Sequence, residues 1–142
     1  MLISTKGRYA LRVMIDLAEH QAAGRIPLKE IAARQDISEK YLENILATLV
    51  RNGMLSGMRG KGGGYCLTRP ADQYTAGEIL RLTEGTLAPV ACLDGDCAGC
   101  ERANECPTLD MWKHLDKIIN EYLDSVTLES LVGGSREFDY VI

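Results

Sequence analysis

The chain has 142 residues, 46% hydrophobic and 25% charged, the composition of one globular unit large enough to bury a core, which excludes a disordered protein. No apolar run approaches the roughly 20 residues of a membrane-spanning helix, and the start MLISTKGRYALR lacks the apolar core of a secretory signal, so a cytoplasmic protein without a membrane partner is expected. The net charge of −4 speaks at face value against nucleic acid, but residues 1–70 hold 11 Lys and Arg against 6 Asp and Glu, and residues 71–142 hold 5 against 14.

In chain order, Ala10, Val13, Met14, Leu17 and Ala18 fall at helical spacing behind Ser4 and Thr5, predicting a core-forming helix over 5–21 with Gly24 beyond it. Pro27 suits a first helical turn, and Leu28, Ile31 and Ala32 share one face of a short helix stopping near Gln35-Asp36-Ile37. Ser38 caps a third helix with a stripe of Tyr41, Leu42, Ile45, Leu46, Leu49 and Val50, ended by Asn52-Gly53. Short strand-like runs at 54–56 and 65–68 flank Gly57-Met58-Arg59-Gly60-Lys61-Gly62-Gly63-Gly64, predicting a β-hairpin with a basic, glycine-rich tip. Thr75 and Glu78 form a capping box for a helix ending at Gly85, and residues 86–108 read as loop. Trp112, Leu115, Ile119, Tyr122 and Val126 then step by 3, 4, 3, 4, the spacing of a coiled-coil seam, before a short helix at 127–131 and a tail, 137–142, able to pack as a strand.

Helix, short helix, tight turn, helix and basic hairpin is the order of a winged helix-turn-helix: mainly α with a small β-hairpin, plus a long helix suited to dimerisation. The third helix fits the major groove while the hairpin reaches along the backbone or into the minor groove. Its apolar stripe leaves Glu39, Lys40, Glu43 and Asn44 outward near its amino end, with Ser38 and Tyr41 beside them; Lys40 and Asn44 are candidate base readers. Glu43 repels phosphate unless it accepts from a cytosine amine, which would make its contribution conditional on sequence. At the tip, Arg59 and Lys61 sit among glycines, including Gly60 and Gly62, that permit close approach to DNA, and an arginine suits a narrow minor groove. Lys6 and Arg8 add candidate phosphate contacts.

Five cysteines are present, four of them spaced Cys92-x4-Cys97-x2-Cys100-x5-Cys106. In a reducing compartment such a cluster favours a metal or redox site over a disulfide framework. Thiolates are soft ligands, and the spacing alone leaves an iron-sulfur cluster and tetrahedral zinc both open. Asp94, Asp96, Glu101 and Glu105, against Arg102, would raise the thiol pKa values and so disfavour a bare reactive thiolate. Cys66, on the returning hairpin strand, reads as a packing residue. His20 and His114 read as a helix-end cation and an exposed side chain rather than ligands.

The segments STKGRYALRVMIDLA, PLKEIA, ISEKYLENIL, LVRNGMLSGMRGKGGGY, TAGEILR and TLESL resemble the winged-helix repressors of the IscR, NsrR and CymR (Rrf) family over nearly the whole chain. The resemblance implies a homodimeric regulator, in most cases a repressor, on two-fold symmetric double-stranded DNA. Residues 1–85 would form the DNA-binding domain, 86–108 a cluster-binding loop and 109–142 the dimerisation helix and tail. It also implies an iron-sulfur cluster, 2Fe-2S ahead of 4Fe-4S with zinc as the alternative, and iron-sulfur assembly proteins as further candidate partners. By that resemblance Cys92, Cys100 and Cys106 are the expected ligands. The sequence departs from the family pattern in having four loop cysteines where three are usual, and in Leu109 where IscR members offer a histidine. Cys97, or Glu43 from the other subunit, is therefore an open candidate for the remaining ligand. The resemblance leaves a CymR-like regulator of cysteine or sulfur metabolism as an alternative. An electron carrier or a zinc-binding structural module is an alternative of another class, although an electron carrier has no use for a basic winged helix. No catalytic triad, phosphate loop or dinucleotide fingerprint points to an enzyme.

Overall fold

The computed structural model describes residues 2–93 and 105–133. Its first helix, α1 (Thr5–Glu19), starts where the Ser4 hydroxyl accepts from the Gly7 N–H at 3.2 Å. Ala10, Val13 and Met14 are fully buried, so α1 is the pillar against which the other helices pack. The helix ends at Glu19, two residues short of the expected end, because the chain tightens into a 3₁₀ turn at Gln21–Ala23 and Gly24 reverses it at φ 81°.

Two helices follow, α2 (Leu28–Gln35) and α3 (Glu39–Arg51), joined by a turn in which Asp36 adopts the left-handed conformation, φ 53°, ψ 50°. Among the described residues it is the only non-glycine with positive φ, a conformation that aspartate tolerates better than most side chains. One buried charge holds this turn. Asp16, 1% exposed on α1, receives Arg34 Nε at 3.0 Å, Arg34 Nη2 at 2.8 Å and Gln35 Nε2 at 2.9 Å. Burial by itself pushes the Asp16 carboxyl up, but hydrogen bonds from Arg34 and Gln35, with the charges of Arg34 and His20, outweigh it and hold the group below the ordinary carboxylate range. Arg12 adds a bond to Gln35 Oε1 at 3.1 Å and another to the Gln35 carbonyl. The end of α2 is thereby tied to α1 by directed, charged bonds as well as by packing.

The wing is an antiparallel pair, β1 (Leu55–Met58) and β2 (Gly64–Leu67), in register Leu55↔Leu67 to Met58↔Gly64. A third segment joins its base: Ile26 and Tyr65 exchange N–H···O bonds of 2.9 Å each way. At that crossing a Cβ on Gly64 would lie 2.5 Å from the Ile26 carbonyl oxygen, and Gly64 holds φ 141°, so only glycine fits. Arg25 fastens the same place, donating to the Ser56 carbonyl at 3.1 Å and the Ser56 hydroxyl at 3.0 Å. Below the wing, the buried Tyr74 hydroxyl donates to the Met54 carbonyl at 2.8 Å and accepts from the N–H groups of Thr68 at 2.9 Å and Arg69 at 3.1 Å. The Arg69 guanidinium lies 4.5 Å from the Tyr74 ring centre and pairs with Glu78 at 2.8 Å.

Helix α4 (Ala76–Glu84), capped by Thr75 at 3.1 Å, lies along α1. Glu84 Oε1 accepts from the Ser4 N–H at 2.9 Å and its hydroxyl at 2.7 Å. After a 3₁₀ turn at Ala91–Leu93, the long α5 (Leu109–Ser125) packs on α4, where Arg81 bonds Asn120 and Asp124 at 2.9 Å each. The chain then returns to α1. Leu128, on α6 (Leu128–Leu131), is fully buried against it and donates its N–H to the Tyr74 carbonyl at 2.9 Å. Among the described residues no helix is long and apolar enough to cross a membrane.

The expected α5 seam divides in two. Trp112, Ile119 and Val126 are half-buried, whereas Leu115 and Tyr122 are exposed together with Met111 and Ile118, which the spacing had omitted. The reason is that α4 occupies one flank of α5, so the apolar side chains on the other flank are left to solvent. Val50 is likewise exposed at 36% rather than part of the α3 core stripe, because it lies one residue past the fully buried Leu49, about 100° around the helix, on the flank that faces the wing. The tail 137–142, Cys97, Cys100 and the loop acids Asp94, Asp96 and Glu101 lie outside the described residues.

Candidate nucleic-acid interface

Helix α3 commits Leu42, Ile45, Leu46 and Leu49 to the core, all fully buried. The opposite face therefore presents Glu39, Lys40, Glu43 and Asn44 to solvent, as the spacing predicts. Ser38 is the N-cap, its hydroxyl accepting from the Tyr41 N–H at 3.2 Å. Tyr41 is half-buried with its ring edge-on to Tyr9, centres 5.9 Å apart. Lys6, on the first turn of α1, lies beside α3 with its ammonium 3.4 Å from the Thr48 hydroxyl. Arg8 is exposed near the start of the same helix and bonds Thr5 at 3.3 Å.

At the wing tip Arg59, Gly60, Lys61 and Gly62 are all exposed. Gly60 and Gly62 hold φ of 92° and 78°, and the Gly63 N–H closes the turn on the Gly60 carbonyl at 3.0 Å. Among the described residues, Arg59, Lys61 and Lys40 form no salt bridge, so their charges are available to a polyanion. Glu43, Met58, Arg59 and Tyr65 all line the groove between α3 and the wing, so the recognition helix and the wing face the same space.

Three residues that orient this surface were not singled out by the sequence. Asp16 stands among the apolar positions of α1, and that misplacement is the one signal that could have found it. Arg25, which ties down the wing, and Arg69, which braces Tyr74, look like ordinary surface cations in one dimension.

Of the cysteines, Cys66 is half-buried on β2, opposite Ser56. Cys92 sits on the Ala91–Leu93 turn, which packs on α5, and Cys106 lies three residues before α5 begins. Both are half-buried free thiols. The Cys106 sulfur lies 3.4 Å from the Thr108 hydroxyl. That bond, with contacts to the Thr108 and Leu109 backbone, holds its thiol below the ordinary range. A thiol on a turn packed against α5 and a thiol three residues before that helix are soft donors of the kind a metal cluster takes. Among the described residues no three His, Cys, Asp or Glu side chains gather into a metal-binding group, and within one chain Glu43 faces the wing groove.

A short helix, a tight turn, an exposed helix and a glycine-tipped basic hairpin on one scaffold define a winged helix-turn-helix protein. The chain belongs to the Rrf2 family, iron-dependent transcriptional regulators whose family model matches residues 3–134. It is 36% identical over 141 residues to the HTH-type transcriptional regulator IscR of Sodalis glossinidius, spanning 99% of this chain and 84% of that one. The solved structure of CymR, the global cysteine regulator of B. subtilis, superposes with a TM-score of 0.77 at 39% identity, covering 94% of this chain and 97% of that one. IscR of T. potens superposes with a TM-score of 0.75 at 35% identity, covering 96% and 90%. The protein is accordingly a DNA-binding transcriptional regulator and not an enzyme.

Proposed function

We propose that the protein is a homodimeric repressor acting in the cytoplasm, whose affinity for a two-fold symmetric operator is set by an iron-sulfur cluster held in the 92–106 loop. Its targets on this view are genes of iron-sulfur cluster assembly, and assembly proteins are its source of cluster. Cys92, Cys100 and Cys106 would hold the cluster, 2Fe-2S ahead of 4Fe-4S, with Cys97 or the partner subunit's Glu43 as the remaining ligand. The observation that carries this view is the placement of Cys92 on a turn that packs on α5 and of Cys106 three residues before α5 begins. The iron-dependent character of the family supports it.

When bound, such a cluster supplies a rigid core that draws the loop thiolates together. The chain's own elements would transmit the change. The loop leaves from α4, which packs on α1 and α3, and re-enters as α5, which packs on α4. A change in the loop would therefore bias the angle between α4 and α5, and through α4 the base of the reading helix. The exposed stripe Met111, Leu115, Ile118 and Tyr122 supports dimerisation through α5, since 66% exposure of a tyrosine beside three aliphatic side chains leaves an apolar surface in need of a cover.

A second reading, a CymR-like regulator of cysteine metabolism governed by a partner protein or by thiol oxidation, is supported by the 39% identity to CymR over nearly the full length. Anaerobic purification separates the two. A visible charge-transfer spectrum with stoichiometric iron and sulfide supports the cluster; a colourless protein with neither favours the CymR-like view, and bound zinc contradicts the iron-sulfur assignment.

A further inference from the structure

The groove between α3 and the wing is polarised along its helical side. Glu43, Ala47 and Arg51 stand four residues apart on α3, so they form one row along the helix. All three are exposed and line the groove, with Arg59 facing them from the wing. Over two turns, about 12 Å of rise, the row changes from a carboxylate through a methyl group to a guanidinium. Among the described residues Glu43, Arg51 and Arg59 form no salt bridge, so these charges do not neutralise one another.

We propose that Arg51 contacts one backbone phosphate in each operator half-site and so fixes where the DNA strand lies between the reading helix and the wing. The inference rests on α3 entering the major groove with Arg59 at the neighbouring minor groove. In that pose the strand separating the two grooves passes between helix and wing, so a phosphodiester backbone occupies the groove. The row on α3 then selects where along the groove a phosphate sits. The Glu43 carboxylate repels it, and Ala47 offers no donor and leaves the space open. The Arg51 guanidinium presents a planar fork of N–H donors that takes two phosphate oxygens at once. Such a contact sets register and carries no base preference of its own. A cation in the last turn of α3 also complements the helix dipole, but that role requires no polyanion and acts on stability alone, which separates the two.

The test uses the full chain and a duplex selected by it from a random-sequence pool. Each phosphate is replaced in turn by an uncharged methylphosphonate, which removes one negative charge and leaves the bases as they are. At one phosphate per half-site binding of the parent weakens on the order of tenfold, and that penalty disappears in Arg51→Gln. The same variant weakens binding to selected and unrelated duplexes by one common factor. Its slope of log affinity against log salt is shallower by about 0.9 for each half-site bound, and Arg51→Lys restores it. Arg51 is exposed, and a cooperative melt checks that the variants fold. Methylphosphonate penalties of equal size in parent and Arg51→Gln at every phosphate overturn the proposal and leave the DNA interface standing. A lowered Tm with an unchanged salt slope assigns Arg51 to the dipole of α3 and overturns it likewise. Failure to select any duplex overturns the interface itself, and the proposal with it.

Discussion

Replacing Asp16 by Ala tests whether one buried charge holds the reading head together. In the native chain its carboxylate is 1% exposed and accepts three hydrogen bonds of 2.8 to 3.0 Å from Arg34 and Gln35. Removing one partner of a buried pair typically costs about 3–5 kcal/mol because the other charge is stranded. Here Arg34 keeps 33% of its side chain in solvent and can turn outward, so the lower end, about 3 kcal/mol, is expected. For a chain of this size that lowers Tm by roughly 10 °C. Calorimetry at neutral pH measures it, and a Tm within about 2 °C of the parent would refute the clamp. The pH dependence supplies a second check. Because the folded carboxyl titrates below its unfolded value of about 3.9, the stabilisation is complete above that value and is lost as pH falls through the folded pKa. The difference between parent and variant therefore narrows in acid.

Tyr74→Phe leaves the Met54 carbonyl and the Thr68 and Arg69 N–H groups without their shared hydroxyl, and should cost about 1–3 kcal/mol in denaturant melts; no loss would mean water replaces it freely. Arg59→Ala should weaken operator binding on the order of tenfold and make its salt dependence shallower, as read by gel shift across a salt series. Unchanged binding removes the wing tip from the contact set. Leu115→Glu places a charge in the exposed α5 stripe and should convert the dimer to monomer in sedimentation without unfolding the chain; a dimer that persists places the interface elsewhere.

Much of this architecture was legible because it is local. Ser4, Ser38 and Thr75 cap their helices through hydroxyl groups at the expected positions, and the glycines of the wing tip hold the positive φ that a turn of that composition implies. The outward face of α3 followed from the four leucine and isoleucine positions that bury the other face. What stayed hidden depends on contacts across the chain. Arg25 meets Ser56 and Asp16 meets Arg34 across 31 and 18 residues, separations at which pattern carries no information. The α5 seam was read as one stripe because heptad spacing cannot say that α4 takes one flank and leaves Met111, Leu115, Ile118 and Tyr122 bare. Val50 fits the apolar period of α3, yet lies beyond the core, where the wing groove begins.

The central claim is that the 92–106 loop controls the reading head through its cluster. The direct measurement is the operator affinity of anaerobically purified protein, taken before and after the metal is stripped by chelation, at one fixed salt concentration. A coupling of about 1–3 kcal/mol predicts a change of about 5- to 150-fold, abolished when Cys92 and Cys106 are both replaced by Ala. Equal affinity of the two forms, with the metal content confirmed in each, would contradict it.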